Sequence, residues 1–168
     1  MMLEIALEAD AEWDSSRSWE QLIRAAAEAA IAESAFPQLI SSEQPVELSV
    51  RLAGDDEVRE LNAKWRGKDK ATNVLSFPLA NPDDLLPTNV PERELMLGDI
   101  VMARGVCEAE AADKGVSVED HATHLVVHGT LHLLGYDHHD DDQAADMEAR
   151  EVRALSRLGI ANPYEVAA

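Results

Sequence analysis

The chain has 168 residues, 46% of them hydrophobic, which suits one domain with one sizeable core and excludes disorder throughout. Aromatics are only 4%, so the core is expected to be aliphatic and rich in alanine. With 33 acidic against 14 basic side chains the formal charge is −19, a surface that repels nucleic acid and anionic membrane unless a local basic patch or a partner intervenes.

LEIALEA (3–9) alternates apolar and polar residues at the period of a strand. Residues 16–34 carry Leu22, Ile23, Ala26, Ala27, Ala30 and Ile31 at helical spacing, with Ser16 or Ser18 as the cap and Pro37 beyond the end. VELSVRLA (46–53) alternates again. Gly54-Asp55 turns the chain, and Asp55 or Asp56 can cap a short helix to about Trp65. TNVLSFPLA (72–80) reads as a third strand, which Pro78 assigns to a sheet edge or to its own end. Residues 81–94 hold Pro82, Pro87 and Pro91 without periodicity and read as a long surface loop. LMLGDIVMA (95–103) is the fourth strand, where Gly98 signals a bulge or a close backbone approach. Helices follow over 104–113, ended by Gly115; over 118–134, with Ser117 as cap; and over 141–158, finished by Gly159 and Pro163. No internal repeat or linker divides the chain, so the expectation is a single α/β domain over 1–168: a four-stranded mixed sheet with helices packed on it.

No run approaches the roughly 18 apolar residues of a membrane span. The opening MMLEIALEAD places acids early and lacks the basic start of a secretion signal. Cys107 is the only cysteine, so no intrachain disulfide can form; a buried thiol and a cytoplasmic setting are expected.

Chemistry concentrates in HGTLHLLGYDH, residues 128–138. An α-helix advances about 100° per residue, so His128 and His132 project from one face, one turn apart. Gly135 can end the helix in a left-handed conformation and let His138 close a triangle around one ion. Three neutral imidazoles suit a borderline-soft divalent metal and leave a fourth position for water. The spacing is that of the metzincin peptidases, H-E-x-x-H-x-x-G-x-x-H, with Gly129 where the glutamate base should stand. His121 and His124 share the helix face, and His124 with His128 is a second i, i+4 pair; each is expected to be a donor behind the site or simply a helix-face residue. His139 is expected to face solvent or start a helix, and Asp140, Asp141 and Asp142 to occupy a helix N-terminus. Asp137 is a candidate acceptor behind a ligand histidine, which spacing alone does not establish.

Gly129 cannot take a proton from bound water, a service typically worth ~10²–10⁴ in rate. The ion can still bring the pKa of its water to about 7, and with three neutral ligands it keeps its full charge, which draws anions and most naturally phosphodiesters. Developing charge on a scissile phosphate calls for a cation, and an arginine offers a planar fork. The loop KWRGKDK (64–70) supplies Arg66, flanked by Lys64, Lys68 and Lys70, a positive island in an acidic chain.

HGTLHLLGYDH, taken with RGKDKATNVLSFP (66–78) and LGDI (97–100) in that order along the chain, resembles the bacterial YbeY family of metal-dependent rRNA maturation endoribonucleases. The resemblance runs from the strand at 46 to the final helix and is weakest before 45 and through the proline-rich loop. It implies a small α/β fold related to zinc peptidases, with His128, His132 and His138 as ligands of one Zn²⁺ per chain and Arg66 as the functionally important arginine. It also implies single-strand-specific cleavage of rRNA at the 16S 3′ end, ribosome quality control, and small-subunit ribosomal proteins and an Era-type GTPase as partners. His124 and Asp137 are the nearest candidates for a general base. Two rival functions stand beside this one: a metallopeptidase-type hydrolase, which the histidine spacing favours and Gly129 opposes, and a non-catalytic ribosome assembly factor with a structural metal.

Overall fold

Alternation along the second strand decides which way the sheet faces. In β2 (Val46–Ala53) Val46, Leu48, Val50 and Leu52 are buried while Glu47, Ser49 and Arg51 are half-buried. β1 (Leu3–Ala9) pairs with β2 in parallel, β4 (Leu95–Ala103) pairs with it in parallel on the other side, and β3 (Val74–Pro78) runs antiparallel to β4. The order β1-β2-β4-β3 makes the sheet four-stranded and mixed, as expected, with β3 and its Pro78 on an edge. The structure, a computed structural model, describes residues 3–10, 13, 18–41, 43–87 and 93–164.

α1 (Trp19–Ala32) and α5 (Val118–Leu133) pack on the sheet, α5 against β3 and β4, and α6 (Asp141–Arg157) packs on α1 and α5. Eleven of the sixteen residues of α5 are buried, so it is an interior helix and none of its faces is a free polar one. α3 (Asp55–Arg66) packs against β4, and α4 (Arg104–Lys114) leaves the end of β4 directly. The core is aliphatic and alanine-rich, as the composition requires, with Trp13 and Trp19 meeting edge to face at 5.1 Å. Among the described residues no helix is long and apolar enough to cross a membrane.

Turn and cap chemistry follows the sequence at most junctions. The Ser117 hydroxyl accepts from Asp120 N at 3.0 Å, and the Asp140 carboxylate accepts from Gln143 N at 2.8 Å. Gly98 answers to both expectations for it. The register of β2 with β4 skips a residue there, and a Cβ at its φ of +147° would lie 2.4 Å from the Phe77 carbonyl oxygen and 2.8 Å from Leu133 Cδ2.

Several expectations are corrected. Neither Asp55 nor Asp56 caps α3, whose N-cap is Gly54; the Asp55 carboxylate instead accepts from Gly105 N and Val106 N at 2.8 and 3.2 Å, capping α4, whose own N-cap, Ala103, has no side-chain oxygen. The first helix spans Trp19–Ala32 rather than 16–34; Ser18 is its N-cap without a side-chain bond, and Ser16 lies outside the described residues. The third strand is Val74–Pro78 rather than 72–80. A short helix, α2 (Gln38–Ser41), follows Pro37, and a 3₁₀ turn at Pro82–Leu85 lies within the expected loop, where Leu85 is buried and its carbonyl accepts from Gln38 Nε2. The 3₁₀ turn has a local cap, with Asn81 N donating to the Asp84 carboxylate at 2.9 Å, and the Gln38–Leu85 contact ties it to α2.

Candidate metal centre

α5 delivers His128 and His132 one turn apart, and their Nε2 atoms face each other at 3.0 Å. After α5 the chain turns at Gly135, φ +98°, and brings His138 beside them, with ring centroids 6.0 Å from His128 and 5.3 Å from His132. One ligand nitrogen from each of the three lies within 4.8 Å of the others. Nitrogens about 2.1 Å from a tetrahedral ion stand roughly 3.4 Å apart, so the three rings fit one such ion with small adjustments.

What lies behind the rings sets their tautomers. His132 Nδ1 bonds the Tyr136 carbonyl at 2.9 Å, and because a carbonyl only accepts, Nδ1 carries the proton and Nε2 keeps its lone pair. His128 Nδ1 bonds the carboxylate of Glu151, from α6, with the same consequence. Burial first, and the adjacent His128 second, push His132 below the ordinary imidazole pKa, which favours the neutral, ligating form. Burial pushes the fully buried Glu151 up, but the neighbouring His124, His128 and Tyr164 outweigh it and bring its carboxyl to about 2.

The other candidates fall into distinct places. His121 and His124 are both buried: His121 Nε2 bonds Glu110 at 2.8 Å, while His124 Nε2 lies 3.4 Å from the Tyr164 hydroxyl and 3.7 Å from Glu151. His124 therefore stands behind the site, next to the acceptor of His128. Asp137 sits beside His138: its Oδ1 accepts from His138 N at 2.8 Å and stands 3.6 Å from His138 Nδ1, and its Oδ2 sits 2.8 Å from Nε2 of the exposed His139. Burial raises Asp137, but hydrogen bonding from the His138 backbone and the neighbouring histidines lowers it by more, a net depression. Cys107 is fully buried, which pushes its thiol up to about 12 and leaves it inert.

Glu151 escaped the sequence reading because it is 23 residues from His128 on another helix. A signal existed. Met147, Ala154 and Leu155 are the other buried residues of α6, so Glu151 is an acid on the apolar stripe, where an unsatisfied carboxylate would not be tolerated.

A cleft of about 570 Å³ joins the histidines to the basic loop: His128, His132 and His138 line one side and Arg66, Lys68 and Lys70 the other, with Asp137 its one carboxylate among the described residues. Arg66 ends α3, donates from Nη2 to the Ser76 carbonyl at 2.8 Å, and lies over the Phe77 ring at 5.8 Å. The loop beyond it is tied by a two-pronged Arg59–Asp69 pair at 2.9 and 3.2 Å and by Asn62 Nδ2 on the Lys70 carbonyl. Gly129 points away from the ion site into the sheet; a Cβ there would meet Ser76 Oγ and Ile100 Cδ1 at 3.1 Å.

Three convergent imidazoles on a helix and its following turn, sharing one cleft with a cationic loop beside a mixed α/β sheet, define a candidate metal site in a cleft of positive character. The family model for the endoribonuclease YbeY matches residues 5–159, and the chain belongs to that family. The endoribonuclease YbeY of Rhizorhabdus wittichii is 49% identical over 167 residues, 98% of each chain. That of Sphingopyxis alaskensis is 52% identical over 165 residues, 97% of this chain and 98% of the other. The solution structure of TM1509 from Thermotoga maritima shares the fold, with a TM-score of 0.54 at 24% identity over 98% of this chain and 100% of that one.

Proposed function

We propose that the chain is a zinc-dependent, single-strand-specific endoribonuclease that matures the 3′ end of 16S rRNA and acts in ribosome quality control. His128, His132 and His138 would hold one Zn²⁺, and Arg66 would act on the scissile phosphate. The observation that carries this reading is the shared cleft: the three imidazoles and the cluster Arg66, Lys68 and Lys70 line one cavity.

When bound, the ion supplies an acidified water and Lewis-acid polarisation of a phosphoryl oxygen. The rest falls to the chain. Glu151 and the Tyr136 carbonyl keep the Nδ1 protons of His128 and His132 in place, so both Nε2 lone pairs face the cleft. Arg66 spends Nη2 on Ser76, which fixes the guanidinium plane and leaves its remaining N–H groups to charge developing on non-bridging oxygens. Lys68 and Lys70 neutralise flanking phosphates. Asp137 holds the His138 backbone at the cleft wall, and His124 does not line the cleft. A peptidase reading is weakened further by the packing at Gly129, where a glutamate would have to displace Ser76 and Ile100.

A net charge of −19 keeps free RNA away, so delivery on a ribosomal particle suits this chain, with small-subunit ribosomal proteins and an Era-type GTPase as partners in the cytoplasm. The test is paired in one preparation: metal per chain, and cleavage of a 16S precursor 3′ end. One zinc per chain is expected, with cleavage lost on chelation and restored by zinc. RNA turnover that survives complete chelation would remove the metal from the reaction. Metal binding with no turnover on any ribosomal substrate would leave a structural ion. A 2′,3′-cyclic phosphate product would assign the nucleophile to the RNA's 2′-OH, and a 5′-phosphate product to water.

A further inference from the structure

Glu151 is 0% exposed, and its partners among the described residues are the His128 Nδ1, the Tyr164 hydroxyl and, 3.7 Å away, His124 Nε2. None of these is a lysine or an arginine. A buried carboxylate is costly without a compensating positive charge. Beyond His124 and His128 themselves, the nearest place for one is across the His128 ring, where Nε2 faces the other imidazoles.

We infer that Glu151 is a positioning residue for the metal centre, and that Tyr164, from the segment beyond α6, locks it. Glu151 Oε1 accepts the Nδ1 proton of His128 and so aims the Nε2 lone pair at the ion, while its buried charge offsets part of the ion's +2. Tyr164 donates its hydroxyl proton to Oε2, which stops the carboxylate from turning away from His128. The C-terminal segment thereby becomes part of the centre, although Tyr164 lies 26 residues beyond the last of the three histidines, His138. The inference rests on the reading of the histidines as metal ligands.

A rival explanation is a plain staple, in which Glu151 only pins α6 and the C-terminal segment to α5. A staple acts equally with and without the ion; a positioning carboxylate does not. In the metal-free chain Glu151 is held by its side-chain contacts alone, so Glu151→Gln, which keeps the shape and one acceptor oxygen, should lower the melting temperature less there than with zinc bound. With zinc present the same substitution should shrink the stabilisation that zinc confers. Both melts, and zinc affinity by competition with a chromophoric chelator, are measured on the full chain above the ordinary imidazole pKa. Glu151→Gln is expected to lower zinc affinity about 10- to 100-fold. Tyr164→Phe is expected to lower it in the same direction by a few-fold.

Wild-type zinc affinity in a folded Glu151→Gln protein would overturn the inference, as would an equal loss of melting temperature with and without zinc. If Glu151→Gln does not fold, Tyr164→Phe decides, because it removes only a hydroxyl; unchanged zinc affinity in that variant overturns the lock. Wild-type protein that takes up no zinc would bring down the ligand reading and this inference together, whereas zinc-binding wild type with an equally binding Glu151→Gln brings down this one alone.

Discussion

On one side of the cleft, His128 and His132 are half-buried on an interior helix, and each Nδ1 is engaged, by Glu151 of α6 and by the Tyr136 carbonyl of the following turn. On the other, Arg66, Lys68 and Lys70 are exposed, and their loop is held by an ion pair, Arg59–Asp69, that is itself exposed. The difference follows from what each side has to bind. An ion demands several nitrogens placed within a few tenths of an ångström, and only packed elements hold that geometry. A polyanionic strand demands charge at the right distance, which solvated side chains supply with less order. Damage to the histidine side should therefore be large and should show in metal content, while damage to the basic side should be smaller and should leave the metal in place.

The largest effect is expected from His132→Ala, which removes a ligand nitrogen. Replacing a residue one shell further out typically costs 10- to 100-fold, so cleavage should fall by at least ~10². Metal analysis of the same sample should show less than the wild-type content. Full metal with lost cleavage would contradict the division of labour between the two sides. Arg66→Ala comes next: cleavage lower by ~10²–10³, as when one charge-stabilising donor is removed, with metal content and melting temperature unchanged. Metal loss in this variant would show that the two sides are mechanically coupled.

Acid should act through the buried imidazoles. His121 and His132 are both held below the ordinary value of 6.5, chiefly by burial. The unfolded chain then takes up these protons at higher pH than the folded one. The metal-free protein should keep its full stability above about 6.5 and lose stability as pH falls below it. Denaturant midpoints measured on either side of that value check this, and a flat profile would mean the two rings are more hydrated than the structure shows. The smallest effect is expected from Asp69→Asn, because an exposed ion pair contributes little and is screened by salt. Melting should not change, and cleavage should fall less than in Arg66→Ala. A loss as large as that of Arg66→Ala would show that the loop needs a fixed shape after all.

The histidine triangle was legible because both of its determinants are local. Helical period places His128 over His132, and a glycine stop three residues later returns His138. The sheet was legible strand by strand from alternation, as were the edge position of Pro78 and the irregularity at Gly98. Asp55 shows where that reasoning stops: the sequence identifies a capping acid at a helix start, but the helix it caps begins 49 residues later at Arg104. The burial of His121 and His124 was hidden for a related reason, since a helix enclosed on all sides loses the polar–apolar contrast that reveals which face is inward.

Local spacing by itself thus determined the candidate ligands, the missing base at Gly129 and the basic loop, because each depends on residues within one or two turns of chain. Only the tertiary structure decided that Arg66 shares a cleft with the histidines, that the acceptor behind His128 is Glu151, and that Tyr164 reaches back to meet it. Those contacts join elements far apart in the chain, and their pairing is set by how the helices bury their apolar faces on one sheet, a property of the whole packed core that no short window contains.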